Sequence, residues 1–139
     1  MASANVELVR SILEAWERGD FSSAEWAHAG IEFVIPDGPS PGSWSGLAGM
    51  ATGYRGYIDV YENVRINVEQ VRELDNGTIV ALFRRIGRAK TSGIVELPGR
   101  EMEGAVIFHL RGGRVSRLVL YFERERALVD LGLTAEDTP

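Results

Sequence analysis

Apolar residues at the start of the chain return at helical intervals: Val6, Val9, Leu13 and Trp16 form one stripe, with Leu8 and Ile12 beside it. That spacing turns one face of a helix toward a core. Asn5 offers an N-cap and Gly19-Asp20 a stop, so the pattern predicts a helix over residues 5–18. Ser22 and Glu25 are spaced as a capping box, which predicts a second, short helix over 22–28. Ile31 to Ile35 reads as a short strand ended by Pro36, and the Pro-, Gly- and Ser-rich run from Asp37 to Ser45 as a loop. Leu47, Met50, Tyr54, Tyr57, Ile58 and Tyr61 resume a helical stripe and predict a third helix over 47–62. Gly49, Gly53 and Gly56 weaken it, each by about 1 kcal/mol against alanine. Close packing against a sheet would offset that cost.

The period then changes from helix to strand. Val64, Ile66 and Val68 alternate with Arg65, Asn67 and Glu69, and the alternation slips near Gln70 as at a β-bulge. Asp75-Asn76-Gly77 is a hairpin turn, because Asn-Gly supplies the positive φ angles a tight turn demands. The next strand runs from Thr78 to about Thr91, Pro98-Gly99 marks another turn, and Glu101 to Arg111 a further strand. Gly112-Gly113 makes the last hairpin before Arg114 to Glu123, and residues 134–139 read as a flexible tail. Helices followed by a run of antiparallel strands describe one α+β domain over residues 1–133. Its strongly curved sheet would wrap a pocket lidded by the helices.

Composition narrows the chemistry. A net charge of -5 over 139 residues argues against a nucleic-acid partner, which requires a basic face. Arg84, Arg85, Arg88 and Lys90 cluster nonetheless, as a cationic patch or as a solvated strand face. No cysteine is present, which excludes disulfides and thiolate chemistry, and His28 and His109 are too far apart in sequence to form a histidine-rich metal site. No metal and no cofactor is expected. The amino terminus lacks the apolar core of a signal peptide and no stretch is long enough to span a bilayer, so a cytoplasmic protein without a membrane partner is expected.

Short motifs carry little by themselves. Gly38-Pro39-Ser40-Pro41-Gly42 has the spacing of a nucleophile elbow, but that chemistry needs a strained turn in a large parallel sheet. Asn76-Gly77-Thr78 is a turn rather than a glycosylation site. Glu101 and Glu103 share a strand face, either as an acid/base pair or as solvated carboxylates. His109 sits on the face opposite Met102, Val106, Phe108 and Leu110, which suits a surface or interface histidine. With Ile107, Val119 and Tyr121 on that outward face, a bare sheet would expose an apolar patch and predicts a homodimer through the sheet.

The order and spacing of several segments resemble the SnoaL-like family of the NTF2-like superfamily. They are Glu14-Ala15-Trp16-Glu17-Arg18-Gly19-Asp20-Phe21, Trp44-Ser45-Gly46-Leu47, Thr91-Ser92-Gly93, Phe108-His109-Leu110-Arg111-Gly112-Gly113-Arg114-Val115, and Tyr121 to Leu128 followed by Gly132-Leu133. The resemblance implies an α+β cone with a deep pocket between sheet and helices, and usually a dimer. Members include steroid isomerases, polyketide cyclases, epoxide hydrolases and non-enzymatic binders, so fold alone selects no reaction. The positions that would carry the isomerase tyrosine, base and second acid are Ile12, Ile35 and Val106, all apolar here.

The same register turns Trp16, Ile35, Tyr54, Leu82, Arg84, Val106, Phe108, Leu118, Leu120 and Phe122 into the cavity, with Trp44 and Tyr57 completing the lining. Such a wall is apolar with one cation and one phenol, which fits a small apolar ligand carrying a carboxylate, enolate or phenolate. Arg84 and Tyr54 are the candidate polarising groups, and a slip of one residue would put Arg85 inward in place of Arg84. A carboxylate turned inward, Glu32 or Glu123, would shift the expectation from binding toward isomerase- or cyclase-like conversion. The other expectation is a non-catalytic dimeric module with a vestigial pocket.

Overall fold

The computed structural model describes residues 4–18, 20, 25–37, 41–58, 61–75, 77–89 and 103–133. In chain order the elements are α1 (Ala4–Glu17), β1 (Ala27–Ile35), β2 (Gly42–Ser45), α2 (Gly46–Ile58), β3 (Tyr61–Asp75), β4 (Thr78–Ala89), β5 (Glu103–Arg111), β6 (Arg114–Tyr121) and α3 (Arg124–Asp130). The strands form one curved six-stranded sheet in the order β2-β1-β6-β5-β4-β3. All neighbours are antiparallel except β1 and β6, which run parallel. No helix among the described residues is long and apolar enough to cross a membrane.

Each face of the sheet buries its own apolar cluster. On the concave face Phe33, Ile79, Ala81, Phe83, Val106, Phe108, Leu118 and Leu120 pack against Val9, Ile12, Leu13 and Trp16 of α1 and Met50 and Tyr54 of α2. On the convex face Val80, Leu82, Ala105, Ile107, Val119 and Tyr121 pack with Ala127 of α3. The α1 stripe is the one its spacing predicts. Its last residue is also anchored: a Glu17 carboxylate oxygen accepts the Val68 N–H at 3.0 Å. That contact sits where the β3/β4 register shifts between Val68 and Gln70, the bulge predicted near Gln70.

The glycines of α2 admit the close packing expected of them. A Cβ on Gly53 would lie 2.6 Å from the Phe33 ring and 2.8 Å from Trp44, so only glycine lets the helix settle onto β1 and β2. Both predicted hairpins form. Gly77 turns β3 into β4 at φ 103, and Gly112 and Gly113 turn β5 into β6 at φ 61 and 81.

Several expectations are corrected. Of the helix expected over 22–28, Glu25-Trp26 is a turn and Ala27 and His28 already belong to β1, while residues 22–24 lie outside the described residues. Ala27 pairs with Val115 of β6 and so starts the strand ahead of Ile31, against the weak β-propensity of Ala and Gly. Within the loop expected over 37–45, residues 42–45 are β2, held by the pairs Phe33–Trp44 and Val34–Ser43. The third helix ends at Ile58, and Tyr61 already belongs to β3. The outward patch is not bare: Ile107, Val119 and Tyr121 are buried within the chain, with α3 on that face. The Pro98-Gly99 turn, Thr91 and the 134–139 tail lie outside the described residues.

Candidate functional site

Most of the residues expected to line a pocket come together on the concave face as a buried apolar cluster. Trp16, Ile35, Tyr54, Val106, Phe108, Leu118, Leu120 and Phe122 are buried there in one cluster. Aromatic contacts organise it. Trp16 stacks on Phe108 at 5.8 Å between centroids and meets Tyr54 edge-on at 5.9 Å. Tyr54 lies 4.9 Å from Phe33, and Trp44, half-buried on β2, lies 5.7 Å from Phe33 on its other side. Ile12, Ile35 and Val106 are all buried apolar side chains, so the isomerase-type tyrosine and acids have no counterparts at those positions. Tyr57 belongs to α2, and its side chain lies outside the described residues.

Leu82 and Arg84 are corrected to the convex face, with Val80. The inward cation is Arg85, which is 2% exposed. Its guanidinium lies 4.9 Å from the centre of the Phe122 ring, a cation–π distance. Its Nη2 donates to the Phe122 carbonyl at 2.6 Å. Space for it comes from Gly104 on β5, where a Cβ would stand 2.5 Å from Arg85 Nη1 and 2.8 Å from Phe83. The same peptide is gripped from its other side by Asp37, whose carboxylate accepts the N–H of Phe122 at 2.8 Å and of Glu123 at 3.0 Å. Asp37 was not singled out from sequence; its one signal was its place directly after the strand-ending Pro36. Glu32 and Glu123, the carboxylates considered for an inward turn, are both exposed.

Arg84 joins a charged cluster outside. It reaches Glu103 at 3.6 Å and Glu69 at 3.9 Å, with 42% of its side chain exposed. Arg124, the first residue of α3, shares both carboxylates and donates to the Phe83 carbonyl at 2.8 Å. Glu103 is thus a partner of arginines, and Glu101 lies outside the described residues.

A groove of about 310 Å³ opens where α1 meets the β5–β6 hairpin. Leu8, Ile12 and Trp16 of α1 and Trp26 give it apolar walls, while Asp20, Glu25 and Arg114 line its polar part. Of the predicted lining among the described residues, only Trp16 reaches it. Among the described residues no three His, Asp or Glu side chains are grouped to hold a metal ion.

This architecture has known counterparts. No curated protein matches the chain. Among solved structures it is similar to TerC co-crystallised with polyporic acid, at 18% identity over 93% of this chain and 98% of that one, with a TM-score of 0.70. It is also similar to an NTF2-like protein from Burkholderia pseudomallei, at 20% identity over 92% and 97% of the two chains and a TM-score of 0.73. A putative polyketide cyclase from Xanthomonas campestris shares 22% identity over 85% and 89%, with a TM-score of 0.65. At such identities the likeness is one of fold. Residues 9–118 match the SnoaL-like domain, and with that match spanning most of its length the chain belongs to the SnoaL-like family.

Proposed function

We propose that this chain binds a small, largely apolar molecule bearing an acidic oxygen, held on the concave face with Arg85 as its anchoring cation. The observation that carries this reading is the placement of Arg85: a guanidinium 2% exposed in a wall of apolar side chains, with a glycine opposite that leaves it room. Binding pockets use few such groups to orient ligands in apolar surroundings. The phenol of Tyr54, buried in the same wall, is a second orienting group. Polyporic acid, with which the similar TerC was co-crystallised, is a ligand of acidic name for this fold. Among the described residues Arg85 is the one buried charged side chain and no carboxylate is buried, which favours binding over proton-transfer chemistry.

Titration calorimetry with polyporic acid and with anilinonaphthalene sulfonate tests the reading, beside native mass spectrometry for a co-purified ligand. A charge-assisted hydrogen bond contributes about 1.5–3 kcal/mol, so Arg85→Met should weaken binding about tenfold or more, and Arg85→Lys should restore part of it. Equal affinity in wild type and Arg85→Met would remove the anchor. No binding of either probe, with no co-purified ligand, would remove the reading.

A homodimer through the sheet loses the bare apolar patch on which it rested, since Ile107, Val119 and Tyr121 are buried in the single chain. It stays a proposal for sedimentation at micromolar concentration, where a monomer ends it.

A further inference from the structure

The convex face opens a second cavity, at the hairpin end of the sheet. The parallel ladder pairs Ala27 with Val115 and next Glu32 with Arg117, so residues 28–31 of β1 pass opposite Ser116 alone. The β5/β6 ladder shifts at the same place, between His109 and Leu110. Beside these two irregularities lies an open surface depression of about 550 Å³, lined mostly by exposed side chains.

Its lining is cationic in an acidic protein. Arg111 and Arg117 project from β5 and β6, His28 and His109 from β1 and β5, and Ser116 adds a hydroxyl that donates to the His109 carbonyl at 3.1 Å. Glu32 is the opposing carboxylate in the lining. Gly30 lies within it too, outside the positive-φ glycines, and a Cβ there would meet nothing within 4 Å. The register irregularity between Ala27 and Glu32 spans this glycine, and glycine inside a strand marks a bulge or a close approach by ligand or backbone. His109 is held below its ordinary value of 6.5, first by burial and then by the Arg117 charge, with Asp75 of β3 opposing. The other ionisable groups lining the depression are Arg111, His28 and Glu32, while the β4 neighbour of His109, Thr78, is uncharged.

We propose that this depression binds a small multivalent oxyanion, a phosphate ester or a polycarboxylate, through Arg111 and Arg117, with His109 taking up a proton as the anion enters. The site uses none of the concave-face residues and stands or falls separately from them.

Two histidines in the whole chain make proton NMR of the imidazoles a direct readout, assigned with His28→Gln and His109→Gln. Inorganic phosphate and citrate are the probes, each against sodium chloride at matched ionic strength. Either anion should raise the pKa of His109 beyond the effect of chloride, and which one does so identifies the source chemistry. Arg117→Gln should raise that pKa without ligand and abolish the anion response, and Gly30→Leu should block the response without changing any charge. Arg85→Met should leave it intact. A shift equal to that with chloride, or one that survives in the Arg111→Gln/Arg117→Gln double variant, would overturn the proposal.

Discussion

Arg85 and Gly104 compete for one space on the concave face, and only the absence of a Cβ lets both stand. Gly104→Ala should therefore cost about 1–3 kcal/mol, the usual range for overpacking, read as a lower melting temperature. Arg85→Met should recover part of that loss, because the flexible thioether yields where the planar guanidinium does not. Strictly additive losses in the double variant would show that the two residues are uncoupled. This pair also explains why the inward cation was illegible in the sequence. Ile79, Val80, Ala81, Leu82 and Phe83 are apolar without interruption, since β4 is buried on both faces. A strand without alternation does not declare its register, and Arg84 and Arg85 then differ by a choice the sequence leaves open.

At the scale of elements, α3 is held by few but well-placed contacts. Arg124 ties its first turn to the Phe83 carbonyl, Glu69 and Glu103, and the Tyr121 hydroxyl donates to Asp130 at 2.8 Å near its last. Burial, then the bond to Asp130, raises the Tyr121 pKa above its ordinary 10.0. The folded state thus favours the neutral phenol, so this contribution is complete below pH 10.0 and is lost as pH climbs past it. Tyr121→Phe should cost about 1 kcal/mol at neutral pH and flatten the alkaline fall in stability. An unchanged alkaline limb would refute the link. In sequence α3 left little trace, because its seven residues begin without a side-chain cap. The strands β1 and β2 were read short or missed for a related reason: His28-Ala29-Gly30 and Gly42-Ser43 have loop composition, and the pairs that fix these strands are made with distant residues, Ala27 with Val115, Val34 with Ser43 and Ile35 with Gly42. Elements whose pattern is local, α1 and the two glycine hairpins, were legible from their own residues.

For the molecule as a whole, the parallel pairing of β1 with β6 sets an order of assembly. Val34 lies beside Val119 and Phe33 beside Leu118, so the first strand takes its place in the sheet only against one of the last. Contacts of such sequence separation form slowly, because a long loop must close before they stabilise anything. During synthesis, β1, β2 and α2 leave the ribosome without the strand they pair with, while β3, β4 and β5 can zip as successive hairpins. A chain cut after Gly112 should then keep strand signal in circular dichroism yet lose the Trp16–Phe108 stack, for want of Leu118 and Leu120 in the concave cluster. A native near-ultraviolet spectrum from that fragment would contradict this order. The concave cluster is completed last, when β6 comes to lie beside β1, so an incomplete chain holds no finished site for a ligand to enter.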